Sequence, residues 1–396
     1  MLPVPPRLSL VEESKITALV DTARDREGVI KLWVGEPDLP TPDFIHAAAR
    51  EAMAAGETRY TYALGIPLLR AALGRFHARH WGVDISPECF SATVGGMNAI
   101  MQALQAATAP GDEVLYPSPA WPNLAEAIRL VGAVPKPVVF DRDQNGDFTL
   151  DLDKLFAAVT PKTAAIAINS PSNPTGWRMP LAQMIALRDF ARSRGIWILS
   201  DEVYAHFCFD GTIAHSFLQI CNPDDRLIVA NTFSKNWSMT GWRVGWVVFP
   251  HGFERHFDNL SQFNTTGVAT FLQYAAIRAL DEGDAFITTM RDRSAASGRI
   301  LAASLSQVLG RRMTLPDGTF YLMADVSRFG SGVTIARRLL EEASVGVAPG
   351  DAFGVGGQDC IRICFAIAPE TATEVARRIA ACLTSPPTSV GEGAFA

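Results

Sequence analysis

Short runs of β-branched and aliphatic residues alternate with amphipathic segments between residues 88 and 250. Apolar runs of this length are typical of buried strands, and apolar residues three or four apart are typical of helices. The predicted strands are EVLYP, TAAIAINS, GIWILSDE, RLIVANTFS and RVGWVVF. The predicted helices are NAIMQALQAAT, NLAEAIRLVG, LDKLFAAV and LAQMIALRDFARSRG, the last of which ends on a basic turn and a glycine. This alternation predicts an open sheet with helices on both faces, in which ligands bind at the carboxyl ends of the strands.

A second region on a smaller scale follows. A helical pattern covers 284–309, and beyond it GTFYLMADV, TIARRLLEEASVGVAPG, CIRICFAIA and ATEVARRIAACL again alternate strand and helix. We therefore expect a large domain at 45–283 and a small domain at 284–384 that is completed by the N-terminal segment 1–44. The tail 385–396 is rich in Pro, Ser and Gly, so we expect it to fray.

Composition and charge exclude several classes of protein. With 396 residues, 48% of them hydrophobic, the chain suits one large enzyme subunit. Its net charge of −6 has acidic and basic residues interspersed, which argues against a nucleic-acid partner. The six cysteines have no metal-ligand spacing, so we expect no metal and reduced thiols in a cytoplasm. Neither a signal peptide nor an apolar run of about 18 residues is present, so we expect no membrane partner.

Lys235 and Arg243 stand eight positions apart in NTFSKNWSMTGWRVGW. A lysine after a strand is usually a solvated surface residue, but LIVANTFS places Lys235 at the carboxyl edge of its strand, where aromatic neighbours would desolvate the amine. A desolvated lysine is a nucleophile toward aldehydes. The planar fork of Arg243 matches phosphate oxygens, and the hydroxyl of Thr232 could reach the same phosphate. A surface ion pair and an ordinary strand threonine are the alternatives for these two residues.

Four motifs together resemble one family. TFSKNWSMTGWRVGW, NSPSNPTG at 169–176, SDEVY at 200–204 and CIRICFA at 360–366 are similar, in order and spacing, to the class I pyridoxal-phosphate-dependent aminotransferases of the aspartate aminotransferase superfamily. The likeness covers nearly the whole chain. It implies fold type I, an α/β fold in which a mostly parallel seven-stranded sheet flanked by helices forms the large domain and both chain ends form the small one. It also implies pyridoxal 5'-phosphate as the cofactor and a homodimer with shared active sites.

The resemblance implies a transamination reaction as well. Lys235 would hold the cofactor as an aldimine, and the amino group of an L-amino acid would pass through pyridoxamine phosphate to a 2-oxo acid, with the freed Lys235 amine moving the proton. Asp201 would keep the pyridine nitrogen protonated, which makes the ring an electron sink. Tyr204 would donate a hydrogen bond to the phenolic oxygen. Without the resemblance, Asp201 is an ordinary helix N-cap and Tyr204 a packing residue.

The resemblance assigns further residues to the cofactor. Asn173 would give a second hydrogen bond to the phenolic oxygen. The backbone N–H groups of Gly96 and Met97, which precede a helix, would face the phosphate together with Thr232 and Arg243. The family usually has a small or hydroxyl residue at the position of Met97, so this chain offers only its backbone there.

Four other positions complete the predicted site. Trp121 would stack on the cofactor ring, although a tryptophan between prolines is also a common core residue. Tyr60 resembles the tyrosine that reaches into the partner subunit's phosphate site. Arg362 lies in an apolar strand and needs an anion, because a buried arginine without a partner is costly. The family places the substrate α-carboxylate there, beside the backbone of Gly35 and the side chain of Asn173.

Alternative functions remain open at this point. A C–S lyase or decarboxylase of the same fold would use the same cofactor shell. A non-catalytic regulator domain is weaker, because only about 30 residues precede VGEPD, and VGGMN lacks the glycine pattern of an NAD site. The donor side chain also stays open: no second cation can be assigned to a dicarboxylate. Four tryptophans are compatible with an aromatic or large apolar donor, although several could be core residues: Trp33, Trp121, Trp177 and Trp237.

Overall fold

A computed structural model describes residues 8–24, 26–143 and 146–386. Its strands, numbered along the chain, are β1 Ile30–Lys31, β2 Phe90–Thr93, β3 Glu113–Ser118, β4 Val134–Val139, β5 Asp141–Arg142, β6 Phe148–Thr149, β7 Thr163–Asn169, β8 Trp197–Asp201, β9 Leu227–Thr232, β10 Gly245–Val248, β11 Tyr321–Asp325, β12 Val345–Gly346, β13 Ala348–Pro349 and β14 Cys360–Cys364. Its helices are α1 Lys15–Thr22, α2 Asp43–Ala54, α3 Pro67–Trp81, α4 Gly95–Ala107, α5 Pro122–Leu130, α6 Leu152–Ala157, α7 Leu181–Arg194, α8 Phe233–Asn236, α9 Glu254–Asn264, α10 Thr270–Glu282, α11 Asp284–Leu309, α12 Gly332–Ala343 and α13 Pro369–Thr384. Most of the tail that was expected to fray lies outside the described residues.

The large sheet has seven strands in the order β2-β10-β9-β8-β7-β3-β4. Only β10 runs antiparallel to its neighbours, so the predicted mostly parallel seven-stranded α/β fold is confirmed. All five strands read from apolar runs are present as β3 and β7–β10. The predicted helices are also present, and α7 ends where Gly195 adopts φ 65°.

The two edge strands, β2 and β4, were not recognised as apolar runs. The sequence of β4 is VPKPVV, which carries two prolines and a lysine and has no clear strand pattern. Proline lacks a backbone donor, and it is tolerated in a sheet mainly at an edge. The edge position of β4 therefore explains both why the strand can form and why its sequence does not predict it.

The smaller region contains a three-stranded sheet in the order β11-β14-β13. The long helix α11 covers the predicted range 284–309. The N-terminal segment joins this region through β1, which pairs in parallel with β12. The buried apolar residues accordingly form separate clusters, one around the large sheet and one between α11, α12, α13 and β11–β14. In the described ranges, no helix has both the length and the apolar content needed to cross a bilayer.

The parallel strands of the large sheet end together on one side. β7, β8 and β9 are adjacent and end at Asn169, Asp201 and Thr232. Their pairing sets Asn169 opposite Asp201 and Asp201 opposite Ala230. Helix α8, which carries Lys235, begins directly after β9. The polar residues of three distant motifs therefore reach one edge of the sheet, as the alternation predicted.

Candidate active site

A cavity of about 400 Å³ opens at these strand ends, within the size range of small-molecule sites. Residues of the large sheet, the smaller region and the N-terminal segment line it together. Eleven of the twelve predicted site residues lie in its wall: Gly35, Gly96, Met97, Trp121, Asn173, Asp201, Tyr204, Thr232, Lys235, Arg243 and Arg362.

Lys235 presents its amine to the cavity. Its Nζ donates a hydrogen bond of 2.6 Å to the carbonyl oxygen of Gly35, and it lies 5.9 Å from the centre of the Tyr204 ring. Burial lowers the pKa of Lys235 to about 8, because the charged form loses water. The aromatic residues on either side that were expected to desolvate it lie elsewhere: Phe233 and Trp237 are fully buried in the core of the large sheet and do not line the cavity. The amine is nevertheless partly deprotonated near neutral pH.

Asp201 lies at the base of the cavity. Burial raises its pKa to about 7, assisted by the neighbouring charge of Glu202 and opposed by a hydrogen bond of 3.3 Å from the Val203 N–H to Oδ1. In the described part of the chain, no cationic side chain lies within 4.0 Å of this carboxyl group. A cation placed at the cavity base would lower the pKa of Asp201 and make it ionic.

Tyr204 is buried and pairs with a second buried tyrosine. Its hydroxyl lies 2.8 Å from the hydroxyl of Tyr321, within hydrogen-bond distance. Burial raises the pKa of both phenols, so both keep their protons. Tyr321 also lines the cavity.

The guanidinium of Arg243 packs against the start of α4. Gly95 has φ +77°, and a Cβ at this position would overlap the guanidinium of Arg243. Arg243 itself is exposed and adopts a left-handed conformation, with Nη1 donating to the carbonyl of Thr240 at 2.7 Å. Thr232 Oγ1 donates to Ser234 Oγ at 2.9 Å. A helix N-terminus, two hydroxyls and a guanidinium therefore surround one point, an arrangement suited to phosphate.

Arg362 is buried without an acidic partner. Its Nη1 donates to Asn173 Oδ1 at 3.2 Å, its Nη2 donates to the Trp33 carbonyl, and its Nε has no partner. Because arginine can only donate, the Asn173 oxygen must face it and the amide nitrogen is left to donate elsewhere. No carboxylate lies within 4.0 Å of the guanidinium among the described residues. The cavity therefore holds a desolvated cation that can receive an anion.

Tyr60 is the one predicted site residue outside this cavity. It is 96% exposed, so within a single chain it contacts neither Lys235 nor Arg243. Its predicted contact across a subunit interface stays a prediction.

A group of possible metal ligands lies away from the cavity. Their ligand atoms are within 4.8 Å of one another, and the residues are Glu88, His251 and Glu254.

The polar residues of the cavity that sequence reasoning missed include Tyr321, Asn169 and Ser234. Tyr321 begins β11, Asn169 ends β7 and Ser234 precedes Lys235. Tyr321 had a usable signal, because a tyrosine in an otherwise apolar strand needs a partner for its hydroxyl. Asn169 Oδ1 accepts the backbone N–H of Asn173 at 2.7 Å, which fixes the turn that carries that residue.

The cavity residues fit pyridoxal phosphate. Lys235 offers an amine for its aldehyde, Asp201 a carboxyl group for its ring nitrogen, and Arg243 a guanidinium for its phosphate. The absence of a side chain at Gly95 leaves the space that this guanidinium occupies. Each group is of the chemical type that the cofactor needs.

Comparison with known proteins agrees with this fit. The family model "Aminotransferase class I and II" matches residues 27–379. Aromatic-amino-acid aminotransferase 2 of Thermococcus litoralis is 35% identical over 94% of this chain and 96% of its own length. An aspartate aminotransferase of Pyrococcus abyssi is 34% identical over 94% of this chain and 96% of its own. The crystal structure of an aromatic aminotransferase from Pyrococcus horikoshii OT3 superposes with a TM-score of 0.85 at 33% identity, covering 92% of this chain and 98% of that one.

These relatives are named for different donors but share one reaction. Their names do not favour the lyase or decarboxylase alternative. The chain therefore belongs to the class I and II aminotransferase family, and it is a pyridoxal-phosphate-dependent enzyme that moves amino groups between amino acids and 2-oxo acids.

Proposed function

We propose that the cavity described above is the transamination site, with the cofactor bound to Lys235 and the substrate carboxylate bound to Arg362. One observation carries the proposal. Lys235, Asp201 and Arg362 converge on one cavity, and in the described part of the chain none of them has an oppositely charged partner within 4.0 Å. Three uncompensated groups in one cavity are costly unless a ligand supplies the missing charges.

The chain's own residues hold the cofactor by complementary charge. Arg243, Thr232 and the N–H groups of Gly96 and Met97 bind its phosphate, and Trp121 covers the ring. Asp201 holds a proton on the ring nitrogen, while Tyr204 and the Asn173 amide donate to the phenolic oxygen. When bound, the cofactor supplies an electrophilic carbon and a ring that delocalises an electron pair.

Lys235 then has two tasks. With a pKa lowered to about 8, its amine is a nucleophile near neutral pH. Once freed by the donor amino acid, the same amine would act as the base that takes the donor's α-proton and as the acid that gives it back. Arg362 and the Gly35 backbone fix the donor's α-carboxylate, and this orients the Cα–H bond toward Lys235.

Reductive labelling tests the cofactor site. Borohydride treatment of the purified protein followed by peptide mapping should place the label on Lys235. A label on another lysine, or none in protein saturated with pyridoxal phosphate, would contradict the proposal. A panel of amino donors against 2-oxoglutarate and pyruvate, followed by cofactor absorbance, should then yield a 2-oxo acid for each amine transferred. Release of thiol or CO2 instead would point to the lyase or decarboxylase alternative.

The proposed enzyme is a homodimer with shared active sites. Tyr60 and Tyr62 are 96% and 65% exposed, and Phe263 is 86% exposed. The segment that carries Tyr60 and Tyr62 lies next to the segment that follows Phe263. A Cβ on Gly267, in that second segment, would lie 2.9 Å from the Tyr62 carbonyl oxygen. Clustered exposed aromatics of this kind mark protein interfaces.

Subunit mixing tests this assembly. Tyr60→Phe and Lys235→Ala should each impair activity alone. If Tyr60 acts across the interface, a mixed dimer contains one site with both defects and one with neither, so mixing restores activity. After confirmed subunit exchange, activity equal to the sum of the residual parental activities would place Tyr60 in its own chain or outside the reaction.

Two further expectations belong with this proposal. The domain limits at 45, 284 and 384 remain predictions, which limited proteolysis can test. A cytoplasmic location is supported by the six cysteines, all of which are free thiols. Cell fractionation with an antibody would check it.

A further inference from the structure

Tyr321 joins the two halves of the cavity. Its hydroxyl lies 2.8 Å from that of Tyr204, and its ring lies 4.4 Å from the guanidinium carbon of Arg362. It is 1% exposed, and its hydroxyl packs so closely on Gly35 that a Cβ there would overlap it. One fully buried side chain thus contacts both Tyr204 and Arg362.

The hydrogen bond between the two phenols has a preferred direction. Each phenol has one proton, and one of these two protons forms the bond. The guanidinium carbon of Arg362 lies 4.4 Å from the centre of the Tyr321 ring. Arg362 lowers the pKa of both phenols against the effect of burial, and it ranks higher among the causes for Tyr321 than for Tyr204. The more acidic phenol is the better donor, so Tyr321 donates and Tyr204 accepts. The proton of Tyr204 is then free to point into the cavity.

We propose that Tyr321 is a positioning residue: it directs the Tyr204 hydroxyl toward the cofactor and transmits carboxylate binding at Arg362 to that hydroxyl. The inference rests on the proposed roles of Tyr204 and Arg362. A phenol that accepts a hydrogen bond becomes a stronger donor, because hydrogen bonds in a chain polarise one another. A carboxylate that neutralises Arg362 weakens Tyr321 as a donor, and Tyr204 is weakened in turn.

The charged and titratable groups around the pair are few. Tyr204 faces Tyr321, Arg362 and Asp201, with the Lys235 ammonium 5.9 Å from its ring centre. Tyr321 faces Arg362, Tyr204 and the thiol of Cys364. A change confined to the Tyr321 hydroxyl leaves all the other groups in place, so the effect of that hydroxyl can be isolated.

The test is a pH titration of the bound cofactor's absorbance in the holoenzyme. Tyr321→Phe keeps the ring over Arg362 and removes only the hydroxyl. We expect the midpoint to rise by about 0.5 pH unit, a factor of about three in the proton-binding constant. Loss of a hydrogen bond made directly to the cofactor would shift the midpoint by about one pH unit, and Tyr321 acts only indirectly, through Tyr204. The rise follows because the cofactor's phenolic oxygen, less well stabilised, holds a proton more tightly. Tyr116→Phe, at a buried tyrosine outside the cavity, is the matched control and should leave the midpoint unchanged.

A double variant separates positioning from a general structural effect. Tyr204→Phe should raise the midpoint further than Tyr321→Phe does. If Tyr321 acts through Tyr204, the double variant Tyr204→Phe/Tyr321→Phe has the midpoint of Tyr204→Phe alone. An unshifted midpoint in Tyr321→Phe, or shifts that add in the double variant, would overturn the inference.

Carboxylate binding tests the coupling to Arg362. Saturating maleate or 3-phenylpropionate, neither of which has an amine to react, should raise the wild-type midpoint. The rise should be smaller in Tyr321→Phe than in the wild type, with the part that passes through the Arg362–Asn173 hydrogen bond retained, and an equal rise in both proteins would overturn the coupling. A wild-type protein that shows no cofactor absorbance would instead refute the proposed function. A normal wild-type titration with no effect of Tyr321 refutes only this inference.

Discussion

Replacing Asp201 with Asn should stabilise the cofactor-free protein while it disables the enzyme. The carboxyl group lies half-buried at the base of the cavity, without a cationic partner in the described residues. Loss of water around it raises its pKa from the ordinary 3.8 to about 7. Asn keeps an oxygen that can accept the Val203 N–H but has no proton to lose. The substitution therefore removes a titrating group and leaves its local hydrogen bond in place.

The sign and size of this effect follow from linkage. Between pH 3.8 and about 7 the unfolded chain has lost the Asp201 proton and the folded chain has kept it. The folded state is therefore progressively disfavoured as pH rises through this range. A pKa raised from 3.8 to about 7 lowers the free energy of unfolding by about 4 kcal/mol at pH 8 and by about 2 kcal/mol at pH 5.5. The stability advantage of Asp201→Asn should therefore grow by about 2 kcal/mol from pH 5.5 to pH 8.

Urea unfolding of the cofactor-free proteins at these two pH values measures the difference. Asp210→Asn is the matched control, because Asp210 pairs with Arg178 at 2.7 Å and its pKa is lowered. An acid whose pKa is lowered by folding has the opposite effect on stability, because its carboxylate stabilises the folded state above its unfolded pKa. Asp210→Asn should therefore be destabilising at both pH values. Equal stability of Asp201→Asn and wild type at pH 8 would show that folding does not raise the pKa of Asp201.

The loaded enzyme should show the reverse ranking. With a cation held on the cofactor ring, the ionic form of Asp201 is the functional one, and Asn cannot supply its charge. We expect the half-reaction with an amino donor to slow by about 100-fold or more, about 3 kcal/mol, as for the loss of one preorganised electrostatic contact. Single-turnover absorbance measures this rate, and a rate close to wild type would refute the assigned role.

Three further outcomes are expected. Gly95→Ala should weaken pyridoxal phosphate binding by about tenfold or more in a fluorescence titration, because its Cβ would overlap Arg243; Gly82→Ala, at φ +67° with open space around it, controls for backbone strain and should bind normally. Arg362→Lys should lower kcat/KM for the amino donor by about 100-fold in steady-state assays, because a lysine cannot form the planar two-pronged contact; an unchanged kcat/KM would remove Arg362 from carboxylate binding. Burial lowers the pKa of His77 to about 3, so between pH 7 and pH 5 the unfolded chain takes up a proton on this group while the folded chain does not. The free energy of unfolding of the wild type should therefore fall by about 2 kcal/mol over this range because of His77. In urea unfolding, the fall should be about 2 kcal/mol smaller in His77→Gln.

The local sequence patterns, taken in chain order, were sufficient to predict the five inner strands of the large sheet, but not its two edge strands. Apolar runs with polar ends predicted the strands β7, β8 and β9, and parallel strands end on one side of a sheet. Asp201 and Lys235 therefore had to meet at that edge, whatever the remaining packing. The resemblance supplied chemical roles for these positions, but their convergence follows from strand direction alone.

Contacts between distant segments were decided only by the tertiary structure. Arg362 and Asn173 are 189 positions apart, and the two phenols of Tyr204 and Tyr321 are 117 apart. Nothing in either local pattern specifies these partners, because hydrophobic periodicity shows which face is buried and not what covers it. Desolvation has the same origin: the raised pKa of Asp201 depends on atoms from several elements that exclude water together. The tertiary structure also moved Trp237 from the expected wall of the cavity into the core, because its ring packs on Phe76 and Phe233 rather than on Lys235.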